Sequence, residues 1–167
     1  YIIWLLLTLA IMHPQKLQTL SKTSSKGYDI VMAIDLSRSM LALDFSSEEK
    51  IVTRLTAIKQ VATEFILNRA NDRLGLVVFG DNAFLQTPLT LSKESVVDAL
   101  SMLEVGMAGD STAIGDAIAL SVKSLQEKPK NSRVIILLTD GSNTAGTIKP
   151  EDAALIAKEY GIKIYSI

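Results

Sequence analysis

The sequence predicts a doubly wound α/β fold: a mostly parallel sheet, helices on both faces, and an antiparallel hairpin at one edge. Three observations carry that expectation. Strand-like apolar runs alternate along the chain with stretches of helical spacing. One run, Val134-Ile135-Ile136-Leu137-Leu138, is apolar at five successive positions, as expected of a central parallel strand buried on both faces. Two further strand patterns, 74–79 and 83–90, are separated only by Gly80-Asp81-Asn82 and are placed to pair as a hairpin.

The elements follow in order. Residues 29–34 form an apolar run that stops abruptly at Asp35-Leu36-Ser37-Arg38-Ser39. Ser46-Ser47-Glu48-Glu49 has capping-box spacing and is placed to start a helix. Ile51, Leu55, Ile58, Ala62, Phe65 and Ile66 then recur at helical spacing with polar residues between them. After the hairpin, Val96, Val97, Leu100 and Leu103 mark a second helix, and Ile114, Ala117, Ile118, Val122 and Leu125 a third. Pro150 stands where a first helical turn accepts a residue without an N–H, and Gly161 where that helix ends. Residues 162–167 read as a last strand. Open sheets of this type bind ligands in the crevice beyond the carboxyl ends of their strands.

Composition bounds what the domain does. The 167 residues carry a net charge of −1, are 48% hydrophobic and include no cysteine. That suits one globular domain and gives no general electrostatic reason to bind nucleic acid. Disulfides, thiolate catalysis and cysteine-based zinc sites are excluded. Residues 1–12 are uncharged but fall short of the roughly 20 residues a spanning helix needs. They read as a partial transmembrane helix, with a signal-peptide core or a buried helix as alternatives. Trp4 fits an interfacial or lipid-facing anchor. Residues 13–27 are polar without an acidic group and read as a linker, which also holds the single histidine, His13. Residues 28–167 form the domain, which stops inside a β-rich run and is expected to be truncated at its carboxyl end.

Three polar clusters fall where the crevice belongs. Asp35, Ser37 and Ser39 follow the first strand, Thr139-Asp140-Gly141 follows the 134–138 strand, and Asp110-Ser111-Thr112 precedes a helix. Asp35, Ser37, Ser39, Thr112 and Asp140 together offer only oxygen, which suits a hard cation such as Mg²⁺. With two carboxylates among five ligands, a bound ion keeps positive charge and has reason to seek a carboxylate from outside. Each cluster alone has a plainer reading. Asp-x-Ser-x-Ser and Asp-Gly are common turns, and Ser111 or Thr112 fits a helix cap. Asp116 fits either a dipole-stabilising carboxylate in a first helical turn or a support for the metal loop. Asp44 reads as a surface loop residue, with a part in shaping the rim as the alternative. Their joint occurrence, each after the right element, favours the site.

Asp35-Leu36-Ser37-Arg38-Ser39, Thr112 and Thr139-Asp140-Gly141 together resemble the metal-ion-dependent adhesion site of von Willebrand factor A domains. The resemblance implies direct ligation by Ser37, Ser39 and Thr112, with Asp35 and Asp140 acting through water or by orienting the others. It implies Mg²⁺, or Mn²⁺ or Ca²⁺ in its place, and a protein partner that offers a carboxylate. More narrowly, residues 39–45, 71–79 and 112–117 resemble the Bat (Bacteroides aerotolerance) membrane proteins, as does the Pro14-Gln15 pair after an apolar segment. That likeness implies anchoring in the bacterial inner membrane, a periplasmic domain, and association with other Bat-like proteins and a MoxR-type AAA+ ATPase. Lys16, Lys22 and Lys26 instead favour a cytoplasmic flank by the positive-inside rule.

No enzyme is expected, and no catalytic residue is assigned. A phosphotransferase of the haloacid dehalogenase type needs a second Asp where Ser37 stands. A serine hydrolase lacks its Gly-x-Ser-x-Gly elbow and a histidine in the domain, and a nucleotide hydrolase lacks its phosphate loop. A structural domain with a vestigial metal site is the other alternative.

Overall fold

One sheet with helices packed on it makes up the computed structural model, which describes residues 1, 2, 4, 27–44 and 51–167. Strands β1 (Asp29–Asp35), β2 (Arg73–Phe79), β3 (Ala83–Thr90), β4 (Arg133–Leu138) and β5 (Lys163–Ser166) form one sheet in the order β3-β2-β1-β4-β5. β1 runs parallel to β2 and β4, β4 runs parallel to β5, and β3 is antiparallel to β2. The expected parallel sheet with an edge hairpin is thus the observed one. The middle strand is β1, buried along its whole length. β4, with its apolar run, lies one place out, still flanked on both sides.

Side chains of β1 alternate between two cores, as the period of two requires. Ile30, Met32 and Ile34 face the layer of α1 (Arg54–Leu67) and α2 (Lys93–Ser101), packing with Leu55, Ile66, Val96 and Leu100. Val31 and Ala33 face α3 (Ile114–Leu125) and α4 (Pro150–Glu159), packing with Ala117, Val122, Ala153 and Ala157. Helices therefore cover both faces, and the site is left to the strand ends.

Helix boundaries depart from expectation where a cap decides them. α1 starts at Arg54, because Thr53 Oγ1 accepts the Thr56 N–H at 3.2 Å. Ile51, expected within the helix, precedes that cap and is 79% exposed. The capping box at 46–49 lies outside the described residues. α4 opens on Pro150, and Gly161 follows its end with φ +65°, as expected. The buried Arg133 ties the carboxyl ends of α3 and α4 together. Its Nε donates to the Lys128 carbonyl (2.8 Å), Nη1 to that of Tyr160 (2.6 Å) and Nη2 to that of Gln126 (2.8 Å). The expected membrane segment, 1–12, and linker, 13–27, fall almost wholly outside the described residues. Among the described residues no helix is long and apolar enough to cross a membrane.

Candidate metal centre

β1 and β4 are adjacent and parallel, so their carboxyl ends bring two of the polar clusters together. Asp35 is the last residue of β1 rather than part of the loop after it, and it is fully buried. Its Oδ1 accepts the Ser37 N–H at 2.8 Å and its Oδ2 the Thr139 hydroxyl at 2.7 Å. Both oxygens of a buried anion are thereby satisfied, and the two loops are fastened to one carboxylate.

A short 3-10 turn, Arg38–Leu41, starts directly after Ser37. It brings the Oγ atoms of Ser37 and Ser39 to 2.9 Å from each other, and Ser39 Oγ donates to Asp140 Oδ1 at 2.7 Å. Asp35, Ser37, Ser39 and Asp140 are thus joined in one local set, although Asp140 lies 101 residues beyond Ser39.

Thr112 arrives from the third loop and is buried. A Cβ placed on Gly141 would stand 3.6 Å from Thr112 Oγ1, so this hydroxyl faces the Asp140-Gly141 turn. The Thr112 carbonyl accepts the N–H groups of Thr144 (2.9 Å) and Ala145 (3.2 Å), and its own N–H donates to Thr144 Oγ1 at 3.0 Å. All five residues singled out in the sequence therefore gather at one end of the sheet.

Residues outside the five also hold these loops. Asp81 Oδ1 accepts the Ser111 N–H at 2.9 Å, and hydrogen bonds from Ser111, its hydroxyl first, hold the Asp81 carboxyl below the usual range. Gly109, at φ +107°, leaves the space that the Asp81 side chain occupies. Neither Ser111 nor Thr112 caps α3. Asn143 does so from the opposite loop, its Oδ1 accepting the Ile114 N–H at 2.8 Å. Asp116 accepts the N–H groups of Thr147 (3.0 Å) and Ile148 (2.8 Å), so its carboxylate fastens the loop that carries Asp140.

Charge at the rim is set by Arg54, the first residue of α1. Its Nη1 donates to Asp140 Oδ2, while Nε reaches the Asp44 oxygens at 2.9 and 3.0 Å. Asp44 is half-exposed, but it is an ion-pair partner at the rim rather than a plain loop residue. The Arg54 hydrogen bonds hold the Asp44 carboxyl below the usual range, and Asp44 and then Asp140 push the Arg54 pKa upward.

The donor set fits a hard divalent cation. It comprises two carboxylates and three hydroxyls, and among the described residues no three His, Cys, Asp or Glu side chains converge. A divalent cation here would draw three of its five candidate ligands from neutral hydroxyls.

Comparison with known proteins agrees with this fold. The von Willebrand factor type A domain model matches residues 29–167. A Borreliella burgdorferi protein of unassigned function is 34% identical over 143 residues, covering 86% of this chain and 41% of the relative. The chain spans less than half the length of the curated relatives it matches. The crystal structure of an aerotolerance-related membrane protein from Bacteroides fragilis, with multiple mutations to serines, superimposes with a TM-score of 0.69 at 31% identity. That match covers 84% of this chain and 66% of the Bacteroides one. A mussel byssus protein, proximal thread matrix protein 1 with a zinc-occupied MIDAS motif, has a TM-score of 0.64. At 20% identity, over 84% of this chain and 37% of its own, it speaks for the fold.

Proposed function

Because this chain belongs to the von Willebrand factor type A domain family, we propose that Asp35, Ser37, Ser39, Thr112 and Asp140 hold a divalent cation and that the loaded site binds a protein partner. Mg²⁺ is the proposed ion, with Mn²⁺ or Ca²⁺ able to replace it. The observation that carries the reading is the hydrogen-bonded line from Ser37 through Ser39 to Asp140. It gathers hydroxyls and a carboxylate from distant parts of the chain at the strand ends. Ser37, Ser39 and Thr112 present the ligand oxygens. Asp35 fixes the Ser37 backbone, and Asp140 orients the Ser39 hydroxyl. When bound, the cation supplies a positive centre able to accept a carboxylate oxygen from the partner.

Binding rather than catalysis suits Asp35. Both of its oxygens are engaged and it is buried, which leaves no free nucleophile for a phosphotransferase. The structural alternative, a vestigial site, predicts no cation affinity. Thermal melts of the full chain in millimolar Mg²⁺ and in chelator separate the readings. A metal bound only by the folded state raises the melting temperature, and Thr112→Ala and Ser39→Ala remove the rise. Identical wild-type melts in the two solutions would count against the site.

The likeness to an aerotolerance-related membrane protein supports a Bat-like role, with other Bat-like proteins and a MoxR-type AAA+ ATPase as partners. Residues 1–12 would contribute to an inner-membrane anchor and residues 13–27 a linker, with the domain in the periplasm. In intact spheroplasts carrying the full-length protein, Ser24→Cys should then react with a membrane-impermeant maleimide. Labelling only after lysis would place the domain in the cytoplasm.

A further inference from the structure

Arg54 is held at the site from two sides. Its backbone N–H donates to the Ala42 carbonyl at 3.0 Å, which fixes the start of α1 against the loop carrying Ser37 and Ser39. Its guanidinium takes the Asp44 carboxylate through Nε and Nη2 and presents Nη1 to Asp140. Asp140 in turn has both oxygens committed, Oδ1 to Ser39 and Oδ2 to Arg54. A planar guanidinium braced by one carboxylate meets the second with little conformational entropy left to lose. Asp140 is therefore neutralised by the chain itself.

We propose that Arg54 is the resident counter-cation of the site: it compensates Asp140 when no metal is bound and sets how tightly a divalent ion is held. The proposal rests on the metal-binding reading above and deepens it. With Asp35, Asp44 and Asp140 negative and Arg54 positive, the immediate cluster carries two net negative charges before metal enters and none after Mg²⁺ has bound. Without Arg54 the loaded cluster would keep one net negative charge. Arg54 thus weakens the hold on the cation and keeps the loaded site from repelling an anionic group.

The test is a Mn²⁺ titration of the chelator-stripped full chain, read by the electron paramagnetic resonance signal of free Mn²⁺, with wild type, Arg54→Gln and Arg54→Lys. A single charge in contact with a ligand carboxylate should change the affinity for a divalent ion about fivefold to tenfold at low salt. Arg54→Gln should bind Mn²⁺ more tightly by that factor, and the gap should narrow as salt is added. Arg54→Lys keeps the charge and loses the two-sided bridge, so it should stay near wild type. In chelator, Arg54→Gln should also melt below wild type, with the difference shrinking in saturating Mn²⁺. Unchanged or weaker Mn²⁺ binding by Arg54→Gln, beside a wild type that binds, would overturn the Arg54 proposal alone. Arg54→Lys behaving like Arg54→Gln would overturn it as well, since bridge geometry rather than charge would then govern. A wild type that binds no Mn²⁺ would overturn the metal reading and this proposal with it.

Discussion

Replacing Asp35 with alanine should destabilise the domain even when no metal is present. The carboxylate is fully buried and accepts two hydrogen bonds, from the Ser37 N–H at 2.8 Å and the Thr139 hydroxyl at 2.7 Å. Hydrogen bonds to a charged group contribute about 1.5–3 kcal/mol each, and leaving the donors unpaired forfeits that amount. Asp35→Ala should therefore cost about 3–6 kcal/mol, a large share of the roughly 5–15 kcal/mol typical of a domain. At about 2–4 °C per kcal/mol for a chain of this size, the melting temperature should fall by about 6–24 °C. Asp35→Asn keeps one acceptor oxygen and should lie between the two. The assay is a thermal melt by circular dichroism in chelator, so that cation binding contributes nothing. A melt of Asp35→Ala within about 2 °C of wild type would refute the reasoning, because two buried bonds to an anion cannot be that cheap. It follows that loss of metal affinity in Asp35→Ala would confound binding with folding. Ser39 and Thr112 are the cleaner probes of the site.

Three further expectations concern the frame around the site. Arg133→Met should cost about 3–5 kcal/mol in urea denaturation, since it strips the bonds from the helix-end carbonyls of Gln126, Lys128 and Tyr160; the cation affinity of the folded fraction should not change. Gly115→Ala should fail to fold or should melt far below wild type, because its Cβ would lie 1.8 Å from the Ile148 carbonyl oxygen, whereas Gly141→Ala, with its nearest neighbour at 3.6 Å, should fold normally. The lowered pKa values of Asp44 and Asp81 give a stabilisation that is present above their ordinary value of 3.8 and is lost as pH falls through the lowered values. Acid melts should show that loss below about pH 4, and it should be smaller in Asp44→Asn.

The parts of this fold legible in the sequence are those in which a local pattern and its cause coincide. The apolar runs at 29–34 and 134–138 are strands because burial on both faces demands such runs. The five oxygen-bearing residues of the candidate site could be singled out because each stands at or beside the end of an element, and the parallel sheet brings those ends together. The start of α1 was misplaced because periodicity records the buried stripe, while the Thr53 hydroxyl decides where the helix begins. Arg54 had no signature at all, since a basic residue in a first helical turn runs against the helix dipole and its meaning lies in an aspartate 86 residues away. Asn143 was missed for a similar reason: a cap contributed by a distant loop leaves no mark beside the helix it closes.

The way the chain enters the sheet bears on how the domain would carry force. The Tyr28 N–H donates to Asp72 Oδ1 at 2.7 Å and the Asp29 N–H to the Ser132 carbonyl at 2.7 Å, so the segment before Gly27 joins at the amino end of β1. Ser37 and Ser39 lie just past the other end of the same strand, roughly 20 Å away at the usual strand rise. Tension between a partner gripping the site and the chain leading into Gly27 would therefore run along β1. All seven of its residues are paired to β2 on one side and six of them, Asp29 to Ile34, to β4 on the other, both in parallel. Pulling along the strand axis loads those two ladders in shear, with many bonds resisting together instead of opening one after another. The strand that positions the site is also the one best braced to withstand a pull on it.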